Sequence, residues 1–192
     1  IRDSYEAGTK WEITPALAFT AAAYQLDRRN VAIPDPVDPT RALLVDAQRS
    51  RGMELELAGR VTKAWFVTGG YAYQHGRLTE TISATARSGA SLPMTPTHSF
   101  SMWNKLDLSR RWSAGAGIIH RGESFTSLDN AVVLPSFTRV DGAMFFQVTP
   151  VIRAQVNVEN VFDTWYFASA HNNTNITPGT PRAVRLSFVS RF

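Results

Sequence analysis

Apolar and polar side chains alternate along the chain in stretches of about ten residues, and each stretch is followed by a turn. Alternation with a period of two places successive side chains on opposite faces of a β-strand. The pattern predicts nine strands, at Tyr5–Ile13, Ala16–Leu26, Gln48–Arg60, Trp65–Gln74, His98–Leu108, Trp112–Arg121, Pro135–Val148, Val151–Val158 and Arg182–Phe192.

The connections between these strands alternate between short and long. Short connections lie at 14–15, 61–64, 109–111 and 149–150, and long ones at 27–47, 75–97, 122–134 and 159–181. Short periplasmic turns and longer extracellular loops are typical of membrane barrels. The pattern therefore favours an all-β fold, an antiparallel transmembrane β-barrel. The alternative, a secreted β-sandwich with a binding role, has no reason to place every long loop at one end.

The last strand shows two chemically different faces, because its apolar residues alternate with polar ones: Val184, Leu186, Phe188 and Phe192 against Arg185, Ser187 and Arg191. One face suits lipid and the other suits water. Beside the short turns stand Trp11, Trp65 and Trp112, as in the aromatic belt of a membrane boundary. The sequence does not assign faces in the Ala-rich second strand or around Trp103.

The number of predicted strands is odd, so the first and last strands run in the same direction and Phe192 ends on the periplasmic side. Single-chain bacterial barrels have even strand numbers. We therefore expect residues 1–192 to be the C-terminal portion of a larger barrel, with its first strands missing.

Composition excludes several other classes of protein. No stretch reaches the roughly 18 uncharged apolar residues of a membrane helix. The 20 Lys and Arg residues are dispersed, so we expect no nucleic-acid partner despite a formal charge of +4. The chain contains no cysteine, which excludes a disulfide scaffold and a cysteine-based metal site.

Several segments resemble successive motifs of TonB-dependent siderophore receptors: Tyr5-Glu6-Ala7-Gly8-Thr9-Lys10, residues 48–57 (QRSRGMELEL), residues 157–166 (NVENVFDTWY), and Pro178-Gly179-Thr180-Pro181-Arg182 before a strand ending in Ser190-Arg191-Phe192. The resemblance implies a barrel of about 22 strands in the bacterial outer membrane, filled by an N-terminal plug. It implies a ferric siderophore as ligand and TonB as the energy-coupling partner. The plug and the TonB-contacting segment are expected outside these residues.

The resemblance also implies a role for the terminal residue. An aromatic that follows an alternating strand resembles the signal read by the barrel-insertion machinery of the outer membrane, so we predict that Phe192 is an assembly signal. Within the motifs, Gly8 and Gly52 mark either room for the plug or a simple bend. The segment from Asn160 to Asp163 is expected to turn, with its side chains bonding nearby backbone.

Nothing in the sequence points to catalysis or to a cofactor. Glu54 and Glu56 share a strand face, but no nucleophile or phosphate-binding loop accompanies them. We therefore expect lumen-facing carboxylates, balanced by Arg153, Arg185 and Arg191.

Four histidines map to the extracellular side, without the spacing of a metal site: His75, His98, His120 and His171. Because His75, His98 and His120 lie at the bases of long loops, we consider them candidate contacts for the ligand. Solvated loop histidines are the alternative. A passive pore or an autotransporter-type barrel would share the alternation, but would leave the family motifs unexplained.

Overall fold

A computed structural model describes residues 2–29, 31–34, 42–45 and 48–191. The strands are β1 (Arg2–Thr14), β2 (Leu17–Arg28), β3 (Val31–Pro34), β4 (Ala42–Val45), β5 (Gln48–Arg60), β6 (Trp65–Leu78), β7 (His98–Asp107), β8 (Trp112–Arg121), β9 (Ser124–Phe125), β10 (Val133–Leu134), β11 (Phe137–Gln147), β12 (Ile152–Glu159), β13 (Phe167–Ala170), β14 (Ile176–Pro178) and β15 (Ala183–Ser190). Among the described residues, no helix has the length and apolar character needed to cross a membrane.

Nine long strands form one sheet in the order β1-β2-β5-β6-β7-β8-β11-β12-β15. Each strand is antiparallel to its neighbours. All nine predicted strands are confirmed, and β5 and β8 have the predicted bounds. Strand β6 continues beyond the predicted end at Gln74 to Leu78. Phe192 lies outside the described residues, so its predicted role as an assembly signal stays a prediction.

Three short antiparallel pairs occupy the long connections: β3 with β4, β9 with β10, and β13 with β14. The sequence pattern does not predict them. Strands of two to four residues are too short to show a period, and they pair only with each other, outside the main sheet.

Residues that are directly paired across two strands point to the same side of the sheet. The pairing register therefore shows which residues of all nine strands share a face. One face, here called the outer face, exposes most of the large apolar side chains: Tyr5, Trp11, Ile13, Met53, Trp65, Tyr73, Leu106, Trp112, Ile118, Met144, Ile152, Val156, Val184, Leu186 and Phe188. An apolar surface that extends over a whole sheet is stable only against hydrocarbon or another protein.

The opposite face, here called the inner wall, curves around a groove of about 750 Å³. Its lining includes the polar side chains Glu6, Thr20, Glu54, Glu56, Thr68, Ser99, Ser101, Arg121 and Asp141. Polar inside and apolar outside is the arrangement of a barrel wall in a membrane. The faces predicted for the described residues of the last strand, and the lumen-facing side predicted for Glu54 and Glu56, are those that the structure shows.

A hydroxyl side chain stabilises each short turn at the periplasmic end. Thr62 Oγ1 accepts a hydrogen bond from the Trp65 amide at 3.1 Å. Ser109 Oγ and Thr149 Oγ1 do the same for Trp112 and Ile152, also at 3.1 Å. Such side-chain turns fix the hairpins and place Trp65 and Trp112 at the edge of the outer face, as the predicted aromatic belt requires.

Candidate functional site

Aromatic side chains of the inner wall lie against glycines of the neighbouring strand. A Cβ added to Gly115 or Gly117 would come within 2.5 Å of the Trp103 ring. The ring thus lies flat across β8, which assigns Trp103 to the inner wall. Register places Tyr24 and Gly52 side by side, and a Cβ on Gly52 would lie 3.0 Å from the Tyr24 hydroxyl. The tightest contact of that Cβ would be with the Tyr73 carbonyl oxygen, so Gly52 allows the close approach of the barrel's own backbone in β6 as well as of Tyr24.

The acidic side chains Glu54 and Glu56 lie on the inner wall as predicted, but the arginines expected to balance them are remote. Strand β5 is third in the sheet, whereas β12 and β15 are eighth and ninth. Arg185 pairs with Glu159 at 3.5 Å, and the Arg153 guanidinium lies over the Phe145 ring at 5.5 Å. The predicted balance is wrong for these two residues, because each has a nearer partner.

A buried polar network joins β11 to the segment that follows β12. Arg139 donates to the Tyr166 hydroxyl at 2.9 Å and to the Asp141 carboxylate at 2.8 Å. The other Asp141 oxygen accepts a hydrogen bond from the Asn160 amide at 2.8 Å. The Tyr166 ring stacks on Phe137, with 4.3 Å between ring centroids. These contacts hold the start of the last long connection against the inner wall.

The turn expected after β12 is present, and Asn160 stabilises it. Asn160 is 1% exposed and has a positive φ of 53°, a conformation that Asn adopts more readily than most residues. Its Oδ1 accepts the Thr164 amide at 2.8 Å, and its Nδ2 donates to the carbonyls of Thr164 and Thr180 at 2.9 and 3.1 Å. Asp163 accepts the Arg182 amide at 2.7 Å. Asn160 thus bonds local backbone at Thr164, as predicted, whereas its bond to Thr180 and the bond of Asp163 to Arg182 reach the residues just before the last strand.

At the extracellular end, side chains join the three described long connections into one layer. Asn130 accepts the Ser91 amide at 2.8 Å and donates to the Ser91 carbonyl at 2.9 Å. The Met94 amide donates to the Phe125 carbonyl at 2.9 Å. Arg121, at the end of β8, donates to the Ala168 carbonyl at 3.2 Å.

A second cluster joins residues 126–129 to Asn173. The Thr126 hydroxyl contacts Asn173 Oδ1, and the Ser127 hydroxyl donates to the same oxygen at 2.8 Å. Asn173 Nδ2 donates to Asp129 at 2.8 Å. Hydrogen bonds from Ser127, the Ala131 amide and Asn173 hold the pKa of the Asp129 carboxyl below its usual value. The charged carboxylate therefore supports this link between loops at neutral pH.

The three candidate histidines lie near the extracellular ends of their strands, but their register places them on the outer face. His98 is paired with Tyr73, His120 with Phe100, and His75 with Arg51. Their ring nitrogens contact outer-face neighbours: His98 Nδ1 to the Tyr71 hydroxyl at 2.8 Å, His120 Nδ1 to Thr138 Oγ1 at 2.9 Å, and His75 Nε2 to Arg77 at 2.7 Å.

His120 is among the residues that line the groove of the inner wall, but His75 and His98 are not, so the three histidines do not converge there. His171 lies apart from them in the turn between β13 and β14. Throughout the described ranges, no group of three or more His, Cys, Asp or Glu side chains is placed to hold a metal ion. The ligand contact predicted for His75, His98 and His120 stays a prediction.

The sequence pattern does not single out three residues near the mouth, of which Arg121 and Arg139 lie on the inner wall and Tyr166 lies in the connection after β12. Arg121, Arg139 and Tyr166 meet the described loops there. The alternation along β11 could have placed Arg139 on the inner wall, because its neighbours Thr138 and Val140 lie on the outer face. Tyr166 gives no such signal because it lies in an irregular connection.

Comparison with known proteins agrees with this geometry. Residues 2–161 match the family described as TonB dependent receptor-like, beta-barrel. The chain is 32% identical over 188 residues to the catecholate siderophore receptor Fiu of Escherichia coli (strain K12), covering 95% of this chain and 24% of Fiu. It is 30% identical over 194 residues to the metal-pseudopaline receptor CntO of Pseudomonas aeruginosa (strain UCBPP-PA14), covering 98% of this chain and 27% of CntO.

Solved structures are similar over the same length. The closed form of the ferric-catecholate import receptor Fiu from K12 E. coli superposes with a TM-score of 0.87 at 29% identity, covering 100% of this chain and 27% of Fiu. The siderophore receptor PiuA from Acinetobacter baumannii superposes with a TM-score of 0.85 at 25% identity, covering 98% of this chain and 28% of PiuA.

The chain thus spans about a quarter of the length of these relatives. Proteins of this kind are receptors of the bacterial outer membrane and not enzymes. The family match and the curved sheet, apolar outside and polar inside, show that the chain belongs to the TonB-dependent receptor β-barrel family, in which it forms part of the barrel wall.

Proposed function

We propose that the complete protein is an outer-membrane receptor that imports a ferric siderophore with energy supplied through TonB. The observation that supports this most strongly is the similarity to Fiu, a catecholate siderophore receptor, over 95% of the chain. In this proposal residues 1–192 are the C-terminal portion of the barrel, and other parts of the protein supply the plug, the TonB-contacting segment and the remaining strands.

The geometry supports a share of the ligand's entry path for this chain. The joined loops lie at the extracellular end, above the polar inner wall, and exposed loops on a rigid scaffold are where binding residues concentrate. Arg121, Arg139 and Tyr166 are the charged and aromatic groups at that junction. The receptor makes and breaks no covalent bond, so its work is to bind the chelate and let it pass.

The outer-face orientation of His75, His98 and His120 gives no support to a contact with ligand in the lumen. We therefore place the ligand-binding residues of this chain on the loops and the inner wall. Replacing each histidine with alanine in the complete receptor and measuring siderophore binding tests the earlier prediction directly.

Uptake by iron-starved cells tests the proposed function. Cells that carry the complete receptor should bind iron-labelled siderophores at their surface and import them, and deletion of TonB should abolish import while leaving surface binding. Shortening residues 79–90, in the connection between β6 and β7, should weaken binding of the siderophore without reducing the amount of receptor in the outer membrane. Import that persists without TonB would favour a passive pore instead.

We also propose that the barrel-insertion machinery reads Phe192. Burying one aromatic side chain at an interface contributes only about 1.5–3 kcal/mol, too little to decide the stability of a large barrel. Deleting Phe192 should therefore lower the surface level of the complete receptor much more than it lowers the stability of receptor that has already folded. An unchanged surface level would exclude this role, and Phe192→Tyr, which keeps an aromatic end, is the matched control.

A further inference from the structure

The outer face changes character towards its extracellular end, on strands β5 and β6. Its lower part is apolar, with Leu57 paired to Gly69 and Leu55 to Tyr71. The next pair is Met53 with Tyr73, and above it stand Arg51 with His75 and Arg49 with Arg77. The surface therefore passes from apolar through aromatic to cationic residues along the strand direction.

The height of this change coincides with a membrane boundary. His75 lies ten residues beyond Trp65, which stands beside a periplasmic turn. At a rise of about 3.3 Å per residue and a tilt of about 40°, this separation is about 25 Å, the height of the apolar band of an outer-membrane barrel. Arg51, His75 and Arg77 are therefore level with the headgroups of the outer leaflet.

Two of the arginines at this level have no counter-charge within the described part of the chain. Arg49 is neutralised by Asp27, at 2.6 Å. Arg51 and Arg77 pair with no described carboxylate, although both side chains are exposed. They are diagonal neighbours on adjacent strands, with Cα atoms about 7–8 Å apart, so both guanidinium groups reach the same small anion.

His75 holds one of these arginines in place. Its Nε2 lies 2.7 Å from an Arg77 nitrogen, and because a guanidinium only donates hydrogen bonds, Nε2 is the acceptor. Its Nδ1 is buried and has no hydrogen-bond partner among the described residues. The ring therefore packs against the sheet and presents only the nitrogen that positions Arg77.

A groove on this part of the sheet lies beside Arg51 and His75. It has a volume of about 430 Å³, and its lining includes Met53, Tyr73, Gln25 and Arg51. Met53 and Tyr73 are 41% and 37% exposed, which leaves them free to contact an acyl chain. A cationic pair beside exposed Met53 and Tyr73 complements a molecule with an anionic head and a hydrocarbon tail.

We propose that Arg51 and Arg77, with His75 as a positioning residue, bind the phosphate-bearing headgroup of a lipid in the outer leaflet. Guanidinium groups bind phosphate oxygens in a forked geometry, and two of them on one headgroup fix a lipid more firmly than hydrocarbon contact alone. The acyl chain of that lipid lies along Met53 and Tyr73. This site is independent of the siderophore path, since it is on the opposite face of the sheet.

Native mass spectrometry of the complete receptor in a neutral detergent tests this site, with bisphosphorylated lipid A as the probe. The double variant Arg51→Gln/Arg77→Gln should bind the probe about tenfold more weakly or worse, because two phosphate contacts are lost. The control Arg87→Gln removes the same charge from an exposed loop and should bind like the unaltered receptor. Heat-modifiable migration on a gel checks folding, and Arg51→Gln alone replaces the double variant if that variant fails to fold.

Two further arms identify the source of the phosphate. The dephosphorylated form of the lipid should bind weakly to the unaltered receptor, and excess inorganic phosphate should not displace lipid A. Equal binding of both lipids, displacement by inorganic phosphate, or an equal loss in Arg87→Gln would each overturn the proposal. So would undiminished binding of lipid A to the folded arginine variants.

Discussion

Individual side chains show how the same strand meets lipid and water. In β15, Val184, Leu186 and Phe188 are 69%, 61% and 68% exposed on the outer face. Arg185 pairs with Glu159 on the other face. A period of two makes this division predictable from sequence, provided that the two sets of residues differ in polarity. Strand β2 did not meet that condition, because alanines occupy both of its faces.

Lysine substitutions at adjacent positions of β15 test the division. Leu186→Lys should destabilise the complete receptor by about 2–4 kcal/mol if residue 186 lies near the membrane midplane, because hydrocarbon does not solvate an ammonium group. Ser187→Lys, on the polar face, is the matched control and should have little effect. Denaturant unfolding from lipid vesicles measures both, and equal losses of stability would contradict the assigned faces.

Trp103 is a residue whose face the sequence left open, and its packing gives a second test. Gly117→Ala would bring a methyl group within 2.5 Å of the Trp103 ring, so the ring must move. Overpacking of this kind costs about 1–3 kcal/mol. At Gly70 the nearest atom to an added Cβ is 3.4 Å away, an ordinary contact, so Gly70→Ala is the control. Thermal unfolding of both variants should show a loss only for Gly117→Ala.

At the scale of elements, the long strands were predictable and the contents of the long connections were not. Gln48–Arg60 and Trp112–Arg121 contain enough alternating residues to fix both ends of a strand. The pair β9 and β10 has two residues in each strand, too few for any period. The link between loops through Asn173 joins positions more than 40 residues apart, and local pattern carries no information about such contacts.

The link through Asn173 should make neighbouring loops behave as one unit. Asn173→Ala removes the bonds to Ser127 and Asp129, so amide hydrogen exchange should accelerate in residues 122–136 as well as in residues 171–176. Asn172→Ala is the matched control, because the side-chain hydrogen bonds of Asn172 to other described residues stay within its own turn, at Thr174 and Asn175. Unchanged exchange in residues 122–136 after Asn173→Ala would show that the loops move independently.

For the whole molecule, the sheet is one part of a closed wall. Strands β1 and β15 lie at the two ends of the strand order, and each has one edge without a neighbour in the described sheet. Hydrocarbon does not tolerate an open edge, since its backbone groups lack hydrogen-bond partners. The odd strand count made this foreseeable from sequence, whereas the Arg139–Tyr166 network at the mouth depends on contacts that only the folded chain reveals.

Site-directed labelling tests most directly whether the chain is a membrane wall with a wet inner face. The chain has no cysteine, so single cysteines introduced in it can be read without interference from other residues of the chain. The experiment uses the complete receptor with any cysteines elsewhere replaced. The reactivity of single cysteines at positions 53–57 of β5 should alternate from one position to the next. Cysteines at Glu54 and Glu56 should react with a water-soluble maleimide, and those at Met53, Leu55 and Leu57 only with a lipid-soluble one. Uniform reaction with the water-soluble reagent at all five positions would contradict the membrane barrel.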